Sequence, residues 1–230
     1  MSSHDVNYFD PKTDYAPTTA ISSVSWDDSN FPNIEGFGVW AAKCNFTMGP
    51  DGKMYSRMLG GNLVRIDVEN ARGENLTNGD LVGTKDGSAY GLVFDPQDEN
   101  VFYFSNNDKH CIYKYDLRTK ECACWAGQEG KSGYLDGPIG QAMFNKPGQM
   151  CVDSEGNIIL TDTENHCIRK ITMSTGYVST LAGKPQNSGY VNGSAEDAQF
   201  KKPLGICIDN DDVMYIGDSE NRAIRRLAVE

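Results

Sequence analysis

The sequence predicts an all-β protein, a β-propeller built from four-stranded antiparallel blades, and three observations lead to this prediction. The chain repeats itself at an offset of 56 residues, as in His110-Cys111-Ile112 and His166-Cys167-Ile168. Each repeat contains short β-branched or aromatic runs separated by the turn-forming residues Gly, Asp, Asn and Pro. No stretch shows the 3.6-residue period of a helix. Four short strands per repeat are typical of a propeller blade.

The repeat is clearest in the second half of the chain. The same offset relates Trp125-Ala126-Gly127 to Leu181-Ala182-Gly183, Ser132-Gly133-Tyr134 to Ser188-Gly189-Tyr190, and Phe144 to Phe200. The predicted strands of the first two copies cover residues 39–48, 53–59, 63–67, 91–95, 101–105, 111–116 and 121–125. The last copy contains only three strands.

We therefore divide the chain into an N-terminal arm, residues 1–36, and propeller blades, residues 37–230. The arm contains a strand candidate at residues 20–26. Because the last copy has only three strands, we expect Ile21–Ser25 to supply its fourth strand and so to close the ring.

The composition limits the partners. The net charge is −11 and the isoelectric point is about 4.7, whereas proteins that bind nucleic acids normally carry a basic surface. We therefore expect no nucleic-acid partner. The chain has no signal-peptide core and no run of about 18 apolar residues, so we expect no membrane insertion and a soluble chain, without excluding a leader removed earlier. The compartment stays unknown.

The seven cysteines predict free thiols. Two pairs, Cys111 with Cys167 and Cys151 with Cys207, are related by the repeat period, as small core residues would be. No pair has the spacing of a zinc finger. Free thiols favour a reducing compartment.

A repeated motif resembles the NHL repeat. It reads Asp162-x-x-Asn165-His166-x-Ile168-Arg169-Lys170-Ile171 and returns as Asp218-x-x-Asn221-Arg222-x-Ile224-Arg225-Arg226-Leu227. The resemblance is specific over residues 121–230. It implies a propeller, usually of six blades, so the four visible copies predict part of a six-bladed ring, with a ring of four or five blades as the alternative. The long loops resemble those of bacterial NHL proteins with an N-terminal IPT/TIG domain, many of which are exported to the periplasm or cell surface.

The motif residues themselves are interpreted as architectural. They are Asp162, Asn165 and Arg169, with their equivalents Asp218, Asn221 and Arg225. We expect each Asp to accept hydrogen bonds from the amides of its own turn, and each Asn to adopt the left-handed conformation. Each Arg is expected to pair with a carboxylate of a neighbouring blade, with Asp153, Asp209, Asp162 and Asp218 as candidates.

We expect no cofactor. His110 and His166 occupy equivalent positions, but the next copy has Arg222 there, so a three-histidine zinc site is not predicted. Calcium bound by clustered Asp and Asn oxygens is the alternative.

The long loops carry the candidate ligand site. Loops 127–147 and 183–203 should lie on one face together with the turns between the second and third strands. This face would gather aromatic, acidic, amide and basic side chains: Tyr134, Asp136, Tyr190, Asn192, Glu164, His166, Glu220 and Arg222. The alternative is that the loops simply pack on each other.

These residues favour a non-enzymatic binding or scaffolding propeller that recognises a protein, a peptide or a glycan. The alternative is a propeller hydrolase or lyase, similar to lactonases or amidating lyases, with a metal or acidic residues in the central channel. RNA binding, known in some NHL proteins, would need a basic face. Further expected partners are the remainder of the propeller and an IPT/TIG domain.

Overall fold

The structure is a computed structural model that describes residues 46–57, 63–67, 69–70, 72–77 and 91–228, together with the backbone of three short strands that precede them. The fold is an all-β propeller with four antiparallel blades. The described helical structure consists of two single 3-10 turns, Thr163–Asn165 and Ser219–Asn221. Within these residues, no helix has the length and apolarity needed to cross a membrane.

The chain divides into two compact units, Met1–Lys85 and Asp86–Glu230. The first unit contains a hairpin and the first blade. The hairpin strands are β1 (Val6–Phe9) and β2 (Pro17–Ile21), and the blade strands are β3 (Ser25–Trp26), β4 (Thr47–Met48), β5 (Met54–Arg57), β6 (Leu63–Asp67) and β7 (Arg72–Asn75). The blade has the strand order β3-β7-β6-β5-β4.

The second unit contains three blades. The second blade is formed by β8 (Leu92–Phe94), β9 (Val101–Asn106), β10 (Cys111–Asp116) and β11 (Cys122–Gly127). The third is formed by β12 (Gly137–Pro138), β13 (Pro147–Val152), β14 (Ile158–Asp162), β15 (Cys167–Thr172) and β16 (Tyr177–Ala182). The fourth is formed by β17 (Pro203–Ile208), β18 (Met214–Asp218) and β19 (Ala223–Leu227). All strand pairs in this unit are antiparallel.

Of the segment Ile21–Ser25, which we expected to close the ring, the structure describes only the two end residues, so its role as a closing strand stays a prediction. Ile21 ends β2, which pairs with β1. Ser25 begins β3, which pairs in parallel with β7 of the first blade. These two strands thus pair within the first unit, and the described fourth blade has three strands.

Apolar side chains fill the spaces between blades of the second unit. One cluster joins the second and third blades around Ile112, Phe144 and Leu160. The other joins the third and fourth blades around Ile168, Phe200 and Ile216. Both faces of the third blade are therefore covered, and its central strand β14 is buried along its whole length.

The spacing between blades depends on small residues on the innermost strands. A Cβ atom at Gly148 would lie 2.9 Å from the Leu204 carbonyl oxygen of the next blade and 2.4 Å from the Thr161 hydroxyl oxygen. That hydroxyl donates to the same Leu204 carbonyl at 2.9 Å. Glycine at this position therefore permits a direct hydrogen bond between blades.

Candidate functional site

A tight turn between the second and third strands of the blade positions the motif residues. In the third blade, β14 ends at Asp162, the 3-10 turn follows, and His166 has the left-handed conformation with φ 58°. The pairing of β15 with β16 then shifts register between Ile168 and Arg169. The turn and the bulge together direct the Arg169 side chain towards the loop that precedes the blade.

Two details of this turn differ from the sequence prediction. The left-handed residue is His166, and its equivalent Arg222, rather than the preceding Asn. Asp162 accepts its backbone hydrogen bond from Asn145 of the long loop, at 2.8 Å, instead of from its own turn. Asn165 remains in the helical turn because its side-chain amide donates to Asp162 and to the Gly133 carbonyl, both at 2.8 Å.

Arg169 is fully buried at the centre of a hydrogen-bonded network. It donates to the Asp162 carboxylate at 2.7 Å and to the Asp136 carboxylate at 2.6 Å. It also donates to the carbonyl oxygens of Leu135 and Met143, at 2.9 and 3.1 Å. Asp162, one of the predicted carboxylate partners, belongs to the same blade as Arg169, so the expectation that this carboxylate comes from a neighbouring blade was wrong. We call this set the arginine network.

Two aromatic rings contact the guanidinium group from the loop. Its central carbon lies 4.8 Å from the ring centre of Tyr134 and 5.2 Å from that of Phe144. A guanidinium group that lies against aromatic rings is stabilised by cation–π attraction, and this attraction is stronger where water is excluded. Arg169 thus fixes the loop to the blade, because the loop contacts the guanidinium group through two aromatic rings and through hydrogen bonds from both terminal nitrogens.

The charges in the network are strongly coupled. Burial raises the pKa of Asp162 to about 6, while Arg169 and the surrounding hydrogen bonds oppose that rise. Burial by itself would lower the pKa of Arg169, but the charges of Asp162 and Asp136 outweigh burial and raise it. Arg169 therefore stays a cation, and removing it would leave a carboxylate in an apolar site.

The fourth blade repeats the network with one substitution. Arg225 donates to Asp218 at 2.9 Å, to the Val191 carbonyl at 2.6 Å and to Asn192 at 2.7 Å. Tyr190 and Phe200 provide the two rings, at 4.9 and 5.1 Å. Because Asn192 replaces the second carboxylate, this network contains one anion where the third blade has two.

The long loops and the short turns share one face of the second unit. Glu164 of the turn donates its amide to Asn145 of loop 127–147, at 3.0 Å, and the Gln186 amide of loop 183–203 donates to Asn165 at 2.8 Å. We call these two loops, with turns 163–166 and 219–222, the loop face.

Side chains on the loop face form charge pairs and also expose apolar groups. Lys202 contacts both Glu164 and Glu220, at 3.4 and 3.0 Å. The exposed apolar side chains are those of Leu135 (46% exposed), Tyr190 (61%) and Val191 (43%). The sequence analysis did not identify Leu135 and Val191 as site residues. The repeat offset relates them, since each follows a tyrosine and precedes Asp136 or Asn192.

The eight predicted ligand-binding residues fall into two groups. Four of them contact the arginines of the two networks: Tyr134, Asp136, Tyr190 and Asn192. The other four lie in the two turns of the loop face: Glu164, His166, Glu220 and Arg222. A ligand-binding role for them stays a prediction.

The two histidines act as hydrogen-bond acceptors. His110 Nδ1 accepts from the Lys146 amide and His166 Nδ1 accepts from the Lys202 amide, both at 3.1 Å. Each histidine thus ties one blade to the loop that leads into the next. Within the described part of the chain, no three His, Cys, Asp or Glu side chains are grouped as metal ligands.

The role of His110 predicts a loss of stability in acid. Burial lowers the pKa of His110 below 6.5 in the folded protein. The charge of Lys146 lowers this pKa further, and the charge of Asp108 opposes the change. The unfolded chain therefore binds the proton more tightly, so the stability present above pH 6.5 is lost as the pH falls through the folded pKa. In His110→Asn, urea unfolding measured at about pH 7 and about pH 5 should show a smaller difference than in the wild type. An equal difference in both proteins would contradict the prediction.

The repeated blades, two of which contain an arginine network, define a β-propeller with sequence-repeated blades. Residues 144–171 match the model of the NHL repeat. The chain is thus a β-propeller in which one segment is similar to the NHL repeat. Among curated relatives, NHL repeat-containing protein 2 of Gallus gallus is 30% identical over 65% of this chain and 19% of its own length. Protein SUPPRESSOR OF QUENCHING 1 of Arabidopsis thaliana is 28% identical over 72% of this chain and 16% of its own length.

Solved structures show the same fold. A Bacteroides thetaiotaomicron protein of unknown function has a TM-score of 0.83 and 26% identity, covering 100% of this chain and 55% of its own. An auxiliary nutrient binding protein from the same species has a TM-score of 0.73 and 24% identity over 99% and 54%. Virginiamycin B lyase from Staphylococcus aureus has a TM-score of 0.51 and 15% identity over 80% and 54%. The chain spans about half the length of these structures and less than a fifth of the two curated relatives.

Proposed function

We propose that this chain is a non-enzymatic binding propeller that recognises a protein, peptide or glycan ligand on its loop face. The observation that carries the proposal is the contrast within the two loops. Arg169 and Arg225 hold the loop backbones at four carbonyl oxygens, while Leu135, Tyr190 and Val191 expose their side chains beside paired charges. Apolar groups on a rigid backbone lose little conformational entropy on binding.

The nutrient binding proteins of Bacteroides support a binding role by similarity of fold. Their names indicate nutrients as one ligand class. An exposed tyrosine next to amide and carboxylate groups suits sugars as well as peptides.

The experiment screens the purified protein against a glycan array and an immobilised peptide library, and then measures the affinity of each hit. The double variant Leu135→Asp with Val191→Asp changes exposed side chains and keeps the backbone carbonyls that the arginines use. We expect it to weaken binding by more than about tenfold.

The matched control is Met48→Asp. Met48 is also exposed, at 59%, and it lies in β4 of the first unit, outside the two loops and the two turns that form the loop face. It should leave binding unchanged. A screen without hits, or a ligand whose affinity is equal in both variants, would overturn the proposal.

We further propose that another blade of the same repeat class covers the outer face of the fourth blade. Ile224 is 79% exposed, whereas Ile168, its equivalent in the third blade, is 0% exposed because the fourth blade covers it. The same holds for Tyr215, 39% exposed, and its equivalent Ile159, 0% exposed. A blade supplied by the remainder of a ring would continue this packing.

Light scattering tests this second proposal on the isolated chain, where only another copy can supply the blade. We expect concentration-dependent self-association that Ile224→Glu abolishes. A wild-type chain that stays monomeric at high concentration would overturn it.

A further inference from the structure

Two thiols of the second blade lie on facing strands. In the ladder between β10 and β11, Cys111 is opposite Gly127 and Tyr113 is opposite Cys124. Because alternate residues of a strand share a face, and directly opposed residues do as well, Cys111 and Cys124 project to the same face. The Cys124 sulfur lies 3.7 Å from the carbonyl oxygen of Gly127. Its side chain is therefore directed towards the residue paired with Cys111, and the two thiols are close enough for each to shift the pKa of the other.

The second thiol is particular to this blade. At the repeat offset Cys111 corresponds to Cys167, but Cys124 corresponds to Thr180. The Thr180 hydroxyl is used by the arginine network, since it lies 2.7 Å from the Tyr134 hydroxyl. At the position of Arg169 the second blade has Tyr113. The arginine network is thus replaced in this blade by a tyrosine and a pair of thiols.

Within the described part of the second blade, Tyr113 does not form the hydrogen bonds that Arg169 forms at the equivalent position of the third blade. The Tyr113 hydroxyl is buried near Cys111 and Glu129, and it makes no hydrogen bond of normal geometry with any residue that the structure describes. The six described cysteines are all free, among them Cys111 and Cys124.

The two thiols differ in access and in acidity. Cys111 is fully buried, whereas Cys124 is partly exposed. The hydrogen bond from Cys111 lowers the pKa of the Cys124 thiol. That hydrogen bond, together with burial, raises the pKa of Cys111. Cys124 is therefore the thiol that a small solute can reach and that ionises first.

We propose that Cys111 and Cys124 form a reversible dithiol–disulfide pair that a peroxide oxidises. The Cys124 thiolate attacks one peroxide oxygen and the O–O bond breaks. This gives a sulfenic acid and one water, which takes up the thiol proton. The Cys111 sulfur then attacks the Cys124 sulfur, the S–O bond breaks and a second water leaves with the Cys111 proton. The two thiols lose two electrons in total, and the peroxide is reduced to two waters.

The test treats the folded wild-type protein with hydrogen peroxide, blocks remaining thiols with N-ethylmaleimide, and analyses intact mass and peptides. We expect a loss of about 2 Da before alkylation, a peptide pair linked through Cys111 and Cys124, and recovery of both thiols with dithiothreitol. Cys167 serves as an internal control. It is buried like Cys111, and the position equivalent to Cys124 is Thr180, so Cys167 should stay unlinked and react with maleimide only after unfolding.

Cys124→Ser should lose the linked peptide, and its partly exposed position makes it the safer variant for folding. Conversely, Thr180→Cys should create a second linked pair with Cys167. Three results would overturn the proposal: an unchanged mass, oxygen addition at Cys124 without a link, or a disulfide that joins Cys124 to Cys122 instead of Cys111.

Discussion

Replacing Arg169 by methionine is expected to lower the free energy of unfolding by about 3–5 kcal/mol, because the variant leaves a buried carboxylate without its cation. Asp162 is completely buried. In the variant it keeps the hydrogen bonds from Asn145 and Asn165, but methionine supplies neither a positive charge nor a hydrogen-bond donor in place of Arg169. Asp136 and the carbonyl oxygens of Leu135 and Met143 lose their donor as well. Urea unfolding followed by circular dichroism measures the change.

Two further variants separate charge from packing. Arg225→Met in the fourth blade should cost less, because Arg225 is slightly exposed and one of its partners is the neutral Asn192. Adding Asp162→Asn to Arg169→Met should restore part of the stability, since it removes the unpaired charge. If the double variant is no more stable than Arg169→Met, the unpaired charge is not the cause.

The second large effect is expected for Phe144→Ala, at about 3–5 kcal/mol. Phe144 is fully buried between the second and third blades. Its ring also contacts the guanidinium group of Arg169, at 5.2 Å, so the cavity would lie beneath the arginine network. Urea unfolding again provides the measurement.

A matched control for the aromatic deletion is Phe46→Ala. Phe46 is 42% exposed, and exposed positions of this kind usually change stability by about 0.5 kcal/mol or less. Equal effects of the two substitutions would contradict a structural role for the buried ring.

The strands and the repeat were predictable because both depend on local patterns. β6 and β10, Leu63–Asp67 and Cys111–Asp116, have the predicted bounds, since alternating apolar residues and flanking turn residues act within a few positions. The all-β propeller fold followed from the number of such strands per period and is confirmed.

The partners of the motif residues were less predictable because they lie far apart in sequence. Asp136 and Asn192 were predicted to contact ligand, and the side-chain oxygen of each accepts a hydrogen bond from an arginine 33 residues further on. The left-handed residue was placed at Asn165 from its intrinsic preference. Because the side chain of Asn165 bonds to Asp162 and Gly133, tertiary contacts hold it in the turn and move the left-handed conformation to His166.

The hydrogen bonds of the two arginine networks have identical sequence separations. Arg169 bonds to groups 7, 26, 33 and 34 residues before it, and so does Arg225. Loss of residues 151–206, one complete period, would place Asp136 at the same separation from Arg225 as Asn192 has now. Unequal recombination between repeats at this offset would therefore add or remove a whole blade without changing these separations.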